Sequence, residues 1–177
     1  MTDAHAEADP PVLKVARETI NQGDLAAFKA YIEAKPDRLH TVTPFGTWLH
    51  LAIMRGQPEI AKYLIAAGLD VNKNSGISDS NALDFAASNG DLEMVKYLHA
   101  KGAILDTSEP TRNPLFSAIY GGHKHVVNWL LDNGIDYTVR YIGENMTNMD
   151  AIAFAMERGQ TEIAKMIRDF AFSEDGG

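Results

Sequence analysis

Five glycines recur along the chain at a nearly constant spacing, and this register constrains the fold more than any other feature. The gaps between them are 33, 34, 32 and 37 residues, for the glycines Gly23, Gly56, Gly90, Gly122 and Gly159. Each of the last four follows an alanine by four positions and a branched aliphatic residue by seven: Ala52, Ala86, Ala118 and Ala155, with Leu49, Leu83, Leu115 and Ile152. A register kept at several positions at once indicates stacked copies of one structural unit.

The unit itself is clearest between Thr47 and Asn72. Two apolar-periodic segments, residues 48–55 and 58–67, are each followed by a glycine, which favours a helix, a turn and a second helix. Helices this short do not persist alone in water. Each pair therefore needs neighbouring copies against which to bury its apolar side.

The residues of this unit resemble those of a known repeat family. The run Thr-Trp-Leu-His-Leu-Ala from Thr47, with the following Gly-x-x-Glu-Ile-Ala and Gly-x-Asp-Val-Asn, resembles an ankyrin repeat. Residues 81–106, 113–136 and 150–170 are similar to further copies, and residues 12–44 resemble a degraded first copy. The resemblance implies an all-α ankyrin-repeat solenoid of about five helix-turn-helix repeats with hairpin-like loops. It also implies a protein-binding module without naming the partner.

The resemblance places a single domain at residues 12–170, with repeats at 12–44, 45–78, 79–111, 112–146 and 147–170. Residues 1–11 are rich in Ala, Asp, Glu and Pro, and we expect a disordered leader or an acidic helix cap there. Residues 171–177 are predicted to be a tail. No basic start, apolar leader or long apolar run is present, so we expect a cytoplasmic protein that does not cross a membrane.

Composition excludes several classes of site. There is no cysteine, so disulfides and thiolate metal sites are excluded. The net charge of −8 disfavours nucleic acid, whose phosphates need Lys and Arg, and it suits a basic partner. The alternative is that the charge only keeps the protein soluble. No cofactor and no metal are expected.

Local signals mark where helices begin. Thr47, Asn81, Asn113 and Asp150 stand at matching positions and are good N-cap residues, and Pro58 and Pro114 suit the first helical position. His50 matches the family's histidine, which by resemblance ties adjacent hairpins together. Other residues replace it in later copies, namely Asp84, Phe116 and Ala153. We therefore expect an irregular stack in which those contacts do not repeat.

The resemblance implies that a partner lies along the concave side and the loop tips. The matching positions at the ends of the first helices are Met54, Arg55, Ser88, Asn89, Tyr120, Glu157 and Arg158. The matching loop positions are Phe45, Ile77, Asp79, Glu109, Arg112 and Met146. Trp48 shares this edge, where it is either an exposed anchor or a cover for the N-terminal repeat.

The longest loop, residues 137–149, contains Arg140, Tyr141 and Ile142. Arginine and aromatic residues at a loop tip are typical of binding anchors. The alternative is that Tyr141 and Ile142 fold back onto the last repeat as a local cover.

Three further hypotheses remain at this point. A metal- or ligand-dependent enzyme would use His123 and His125, although residues two apart on a helix point away from each other. No catalytic residue is predicted, and we do not expect an enzyme. A self-assembling structural subunit is the second hypothesis, although we expect a monomer when the protein is free. The third narrows the binding module: small acidic bacterial ankyrin proteins include immunity factors, which implies a basic toxin or effector as partner.

Overall fold

The computed structural model describes residues 10–76, 79–143 and 146–175, and these residues are mostly helical. They contain ten α-helices: α1 Pro10–Gln22, α2 Leu25–Glu33, α3 Trp48–Met54, α4 Pro58–Ala66, α5 Ala82–Asn89, α6 Leu92–Ala100, α7 Pro114–Gly121, α8 Lys124–Asp132, α9 Ala151–Glu157 and α10 Thr161–Asp175. Two 3₁₀ turns lie at Pro36–His40 and Pro110–Arg112. The predicted all-α class, built from successive helix pairs, is confirmed.

Two of the connections are β-hairpins. Strands β1 (Val42–Thr43) and β2 (Gly46–Thr47) pair antiparallel before α3. Strands β3 (Tyr141–Gly143) and β4 (Met146–Met149) pair antiparallel before α9, with Tyr141 opposite Met149. The second hairpin belongs to the loop that the sequence showed to be the longest.

The described chain divides into two compact units. The first unit runs to Asp70 and includes Ser75 and Gly76. In it α3 packs against α1, and α4 packs against α2. Its core is aromatic, since the ring of Phe28 meets the rings of Trp48 and Tyr63 edge-on, each at a centroid distance of 6.3 Å.

The second unit comprises Val71–Asn74 and the described chain from Asp79 onward. Here α5, α7 and α9 pack side by side, while α6, α8 and α10 form a second row. Ala86, Ala118 and Ala155 are fully buried, as are Leu98 and Leu130. Small residues let the first helices approach one another, and branched side chains fill the space between the rows, as the repeated register predicted.

Three of the four predicted helix starts, those at Asn81, Asn113 and Asp150, follow the predicted capping chemistry. The side chain of Asn81 accepts from the amides of Leu83 and Asp84, and that of Asp150 accepts from the amide of Ala153. Asn113 caps α7 in the same way, at 2.9 Å from the amide of Leu115. Because a cap needs only a side-chain oxygen at the right position, these sites could be read from the residue types alone.

Asp84, which replaces the histidine of the preceding copy, keeps one hydrogen bond that we expected this replacement to remove. In α3 the imidazole Nδ1 of His50 accepts from the backbone N–H of Thr47 at 3.2 Å. In α5 the carboxyl Oδ2 of Asp84 accepts from the backbone N–H of Asn81 at 2.9 Å. The local part of the histidine's network is therefore repeated with a different acceptor.

Two boundaries differ from the expected ones. Helix α1 begins at Pro10, inside the stretch expected to be a leader, because proline fits the first turn of a helix. Helix α10 continues to Asp175, so residues 171–175 extend a helix instead of forming a tail. Among the described helices, none has the length and apolar character needed to span a bilayer.

Candidate protein-binding surface

Trp48 is not an exposed anchor. Its side chain is fully buried, and its indole N–H donates to the backbone oxygen of Arg38 at 2.8 Å. Its ring meets those of Phe28 and Tyr31 edge-on, at 6.3 Å from each. The exposed-anchor interpretation was wrong because this indole fills the core against α2, where it covers the first repeat.

The other predicted residues of the first unit lie at its surface. Phe45 sits in the turn between β1 and β2 with 47% of its surface exposed. Arg55 is exposed as the C-cap of α3, and Met54 before it is partly buried. Their role in binding stays a prediction.

In the second unit the predicted positions at the ends of the first helices are exposed. Ser88 and Asn89 end α5, Tyr120 lies near the end of α7 with 62% of its surface exposed, and Glu157 and Arg158 end α9. The predicted set therefore lies at corresponding places of α5, α7 and α9, the first helices of three successive pairs.

Tyr120 and Arg158 form a stacked pair at this surface. The guanidinium carbon of Arg158 lies over the Tyr120 ring, 4.9 Å from its centroid, and over the Phe154 ring at 5.1 Å. Phe154 is itself buried and stacks on Phe116 at 4.6 Å. Cation–π contacts on this buried support hold an exposed guanidinium in a defined place.

His123 and His125 have structural partners. The Nε2 atoms donate to the backbone oxygens of Ser88 and Gly90 respectively, both at 2.9 Å. Each imidazole thereby ties α8 to the end of α5. Among the described residues, no group of three or more His, Asp or Glu side chains is placed to hold a metal ion.

Arg112 lies inside a ring of carboxylates from its own loops. Its guanidinium nitrogens are 3.9 Å from Asp79, 4.0 Å from Asp106 and 3.9 Å from Glu109. The side chain of Arg112 is only 25% exposed, whereas those of Asp79 and Glu109 are largely exposed. Arg112 therefore neutralises these loops, and the exposed charge that remains for a partner is negative.

A buried carboxyl lies in the same region. Burial raises the pKa of Asp84 to about 8, while the hydrogen bond from the Asn81 amide acts in the opposite direction. Asp106 adds to the upward shift and Arg112 reduces it. Asp106 itself keeps a lowered pKa: burial acts to raise it, but hydrogen bonds from Ser108 and the charge of Arg112 outweigh that effect. At neutral pH Asp84 is thus mainly protonated and Asp106 ionised.

In the hairpin of β3 and β4, Tyr141 and Ile142 lie in different environments, although the sequence analysis assigned both to the same alternative. The hydroxyl of Tyr141 donates to the oxygen of Thr107 at 2.7 Å and accepts from Nδ2 of Asn113 at 2.9 Å, and the residue is buried. Burial raises the pKa of Tyr141. Ile142, in contrast, is 84% exposed. Tyr141 therefore follows the fold-back alternative, and Ile142 does not.

Arg140 fastens the other side of this hairpin. Its guanidinium lies 2.6 Å from the carboxylate of Asp150, the cap of α9, and donates to the oxygen of Asn148 at 3.2 Å. Of the remaining predicted contacts, Ile77 lies outside the described residues. Only the backbone of Met146 is described. Arg140 and Tyr141 thus position the hairpin, and Ile142 is an apolar side chain that it exposes to solvent.

A family comparison supports this description of the fold. The ankyrin-repeats model matches in three overlapping stretches, residues 15–108, 49–141 and 85–175. The chain belongs to the ankyrin-repeat family. Ankyrin repeats of this kind form protein-interaction modules and are generally non-catalytic, so the chain is an interaction module.

Several curated proteins are similar to this ankyrin-repeat chain. Protein fem-1 homolog A-like of Mus musculus is 32% identical over 85 residues, which cover 48% of this chain and 13% of that protein. The serine/threonine-protein kinase TNNI3K of Mus musculus is 28% identical over 155 residues, 81% of this chain and 18% of the kinase. Protein phosphatase 1 regulatory subunit 27 of Mus musculus is 32% identical over 90 residues, 50% of this chain and 58% of that subunit. The matched part is less than two thirds of each relative.

Sequence reasoning did not single out Ile104 and Met156, which are exposed apolar residues, the second with 51% of its surface exposed. A signal existed for Ile104, since it replaces the aspartate of the Gly-x-Asp motif that other copies keep as Asp70 and Asp136. The sequence left Ile142 between two alternatives, because its exposure depends on which face of the hairpin Tyr141 occupies.

Proposed function

We propose that the second unit binds a protein partner through the ends of its first helices and its β3–β4 hairpin. The observation that carries the proposal is the stacked pair of Tyr120 and Arg158, exposed and supported from below by Phe154. Tyrosine and arginine are the residue types that most often dominate binding energy at protein interfaces. Met156 and Ile142 add exposed apolar area on the same unit.

Rigidity of this surface supports the proposal further. Arg158 rests on two rings, and the hairpin is held by the Arg140–Asp150 pair and the two hydrogen bonds of Tyr141. Side chains that are already ordered lose less conformational entropy when a partner binds. The surface therefore requires little rearrangement for binding.

Charge supports a partner with a basic region. The chain carries a net charge of −8, and the exposed carboxylates of Asp79 and Glu109 lie on its loops. Such a field raises the rate of association with a positively charged protein and weakens as salt increases. In its narrowest form the proposal names a basic toxin or effector as the partner, and a monomer of this chain blocks that partner in the cytoplasm. This form is tested by co-expressing the chain with a candidate toxin and measuring whether the host survives.

The decisive test is affinity capture from the native host with matched variants. Tyr120→Ala removes the aromatic ring of the stacked pair. Tyr97→Ala is the matched control, because Tyr97 also carries a cation over its ring, Lys101 at 5.6 Å, but lies on α6 in the second row. We expect a specific co-purifying protein to bind Tyr120→Ala at least about tenfold more weakly than wild type, a loss of roughly 1.4 kcal/mol. It should bind Tyr97→Ala normally. Equal binding by both variants would contradict the proposed surface.

A further inference from the structure

We propose that Arg158 anchors an acidic side chain, Asp or Glu, of the protein partner. This inference rests on the proposed function and names the chemistry of its central contact. An acidic contact residue differs from the basic partner region that the net charge of the chain favours. Net charge governs long-range attraction, whereas a short-range contact is decided by the groups that meet.

The charge of Arg158 is uncompensated within the described part of the chain. No carboxylate there lies within 4.0 Å of its guanidinium, and its recorded contacts are the rings of Tyr120 and Phe154. The arginines of the neighbouring loops differ, because Arg112 is surrounded by three carboxylates and Arg140 pairs with Asp150. Arg158 is thus an exposed cation that pairs with none of the carboxylates in the described residues.

The rings determine how an anion can approach. A guanidinium is planar, and its five N–H donors lie in that plane and point outward from its edge. Where rings occupy a face of the group, the edge is the part that remains to meet a ligand. Two donors along one edge match the two oxygens of a carboxylate. Aromatic surface beside the cation also excludes water and strengthens the contact.

The neighbours of Arg158 limit where the acidic side chain can lie. Glu157 is exposed and adjacent in sequence, and its negative charge repels a second carboxylate. Tyr120, on α7, offers Arg158 a neutral ring and a hydroxyl. Met156 adds half-exposed apolar surface. We therefore expect an acidic residue next to an apolar one, approaching from the side of α7.

The probe is a library of random peptides displayed with a blocked C-terminus and selected on the full chain. Selected peptides are then synthesised, and their dissociation constants are measured for wild type, Arg158→Gln, Arg158→Lys and Glu157→Gln. Arg168→Gln is the matched control, because Arg168 is an exposed arginine on α10 in the second row. Thermal unfolding of each variant verifies that its fold is retained.

We expect the selected peptides to share an Asp or Glu beside an apolar residue. Arg158→Gln should weaken their binding by about tenfold or more, and Arg158→Lys should weaken it less, because it keeps the charge but loses the planar fork. Glu157→Gln should strengthen binding, and Arg168→Gln should leave it unchanged. Replacing the peptide's Glu by Gln should cost little more once Arg158 is Gln, since both changes remove the same contact.

Other outcomes overturn the inference. Peptides with a neutral or basic consensus, or acidic peptides that bind Arg158→Gln as well as wild type, would show a different central contact while leaving the protein-binding function intact. Selection of no peptide above background would also refute the anchor as described. The binding function would then depend on the Tyr120→Ala capture experiment alone.

Discussion

The imidazole Nε2 of His123 donates to the backbone oxygen of Ser88 at 2.9 Å, across 35 residues of sequence. Gly121 makes this approach possible, because a Cβ at that position would lie 2.3 Å from Nε2 of His123 and 2.9 Å from the oxygen of Ser88. The glycine and the histidine are therefore coupled. Nothing in the sequence indicated that Gly121 and His123 depend on each other.

The coupling predicts non-additive effects of two substitutions on the free energy of unfolding. His123→Ala should cost about 0.5–1.5 kcal/mol, the value of one hydrogen bond. Gly121→Ala would be favourable by up to ~1 kcal/mol in an unobstructed helix, yet here it should destabilise because the methyl group displaces the imidazole. Urea unfolding of both single variants and the double variant measures the coupling.

His125→Ala is the control for that cycle. Its Nε2 donates to Gly90, so it should not relieve the effect of Gly121→Ala. If Gly121→Ala stabilised the wild-type and His123→Ala proteins equally, the contact at Ser88 would be wrong.

Asp84 predicts a specific dependence of stability on pH. Its pKa is about 8 in the folded protein, whereas the pKa of an aspartate in an unfolded chain is about 3.9. Between these values the folded state holds a proton that the unfolded state has lost. The free energy of unfolding should therefore fall as pH rises, by at most about 1.4 kcal/mol per pH unit. This contribution is complete below the lower pKa and is lost as pH rises through the upper one.

Asp84→Asn tests this dependence, because the amide stays neutral while its oxygen can still accept from the N–H of Asn81. Relative to wild type, the variant should be more stable at pH 9 than at pH 5. Asp79→Asn is the control, since the Asp79 side chain is 66% exposed and should not change the slope. Parallel stability profiles for wild type and Asp84→Asn would refute the buried, protonated carboxyl.

Tyr141→Phe removes a hydroxyl that joins two loops. The oxygen of Thr107 and the side-chain amide of buried Asn113 would each lose a partner. We expect a loss of about 1–3 kcal/mol in the free energy of unfolding, because both groups lose a hydrogen-bond partner in the protein interior. Thermal unfolding measures the loss, and Tyr120→Phe, at an exposed ring, should show almost none. A stability equal to wild type would place the hydroxyl in solvent.

The two tryptophans report separately on the two units. Trp48 is fully buried in the first unit, whereas Trp129 is partly exposed in the second and meets His99 edge-on at 5.3 Å. In Trp129→Phe the remaining emission should be blue-shifted and resistant to acrylamide, and in Trp48→Phe the reverse should hold. Trp48→Ala should cost about 3–5 kcal/mol through the lost packing. Free quenching of Trp48 would contradict its place in the core.

Much of the fold was predictable because its causes are local. Asn81, Asn113 and Asp150 cap helices with their own side chains, and a cap acts within three residues. The alternation of alanine and leucine at helical spacing predicted which face is buried. The first and last helices were less predictable, because Pro10 and Asp175 lie where no neighbouring copy repeats the register.

The candidate surface was predicted only in outline. Register alone located the ends of the first helices, and Tyr120 and Arg158 lie there. It did not indicate that Arg158 rests on Tyr120, since their helices are separate in sequence and meet only through packing. Arg112 was assigned to a partner from its loop position, yet three carboxylates of its own loops surround it.

The amino-acid sequence by itself determined the repeat, the helix pairs, their caps and the buried stripe, because periodicity and capping act over a few residues. Only the tertiary structure decided which aromatic side chains face inward. Trp48 reaches Arg38 and Tyr141 reaches Thr107, 34 residues away, while Ile142 beside it faces solvent. Whether a side chain is exposed depends on which residues, distant in sequence, pack against it and form hydrogen bonds with it. The residue type at one position does not contain that information.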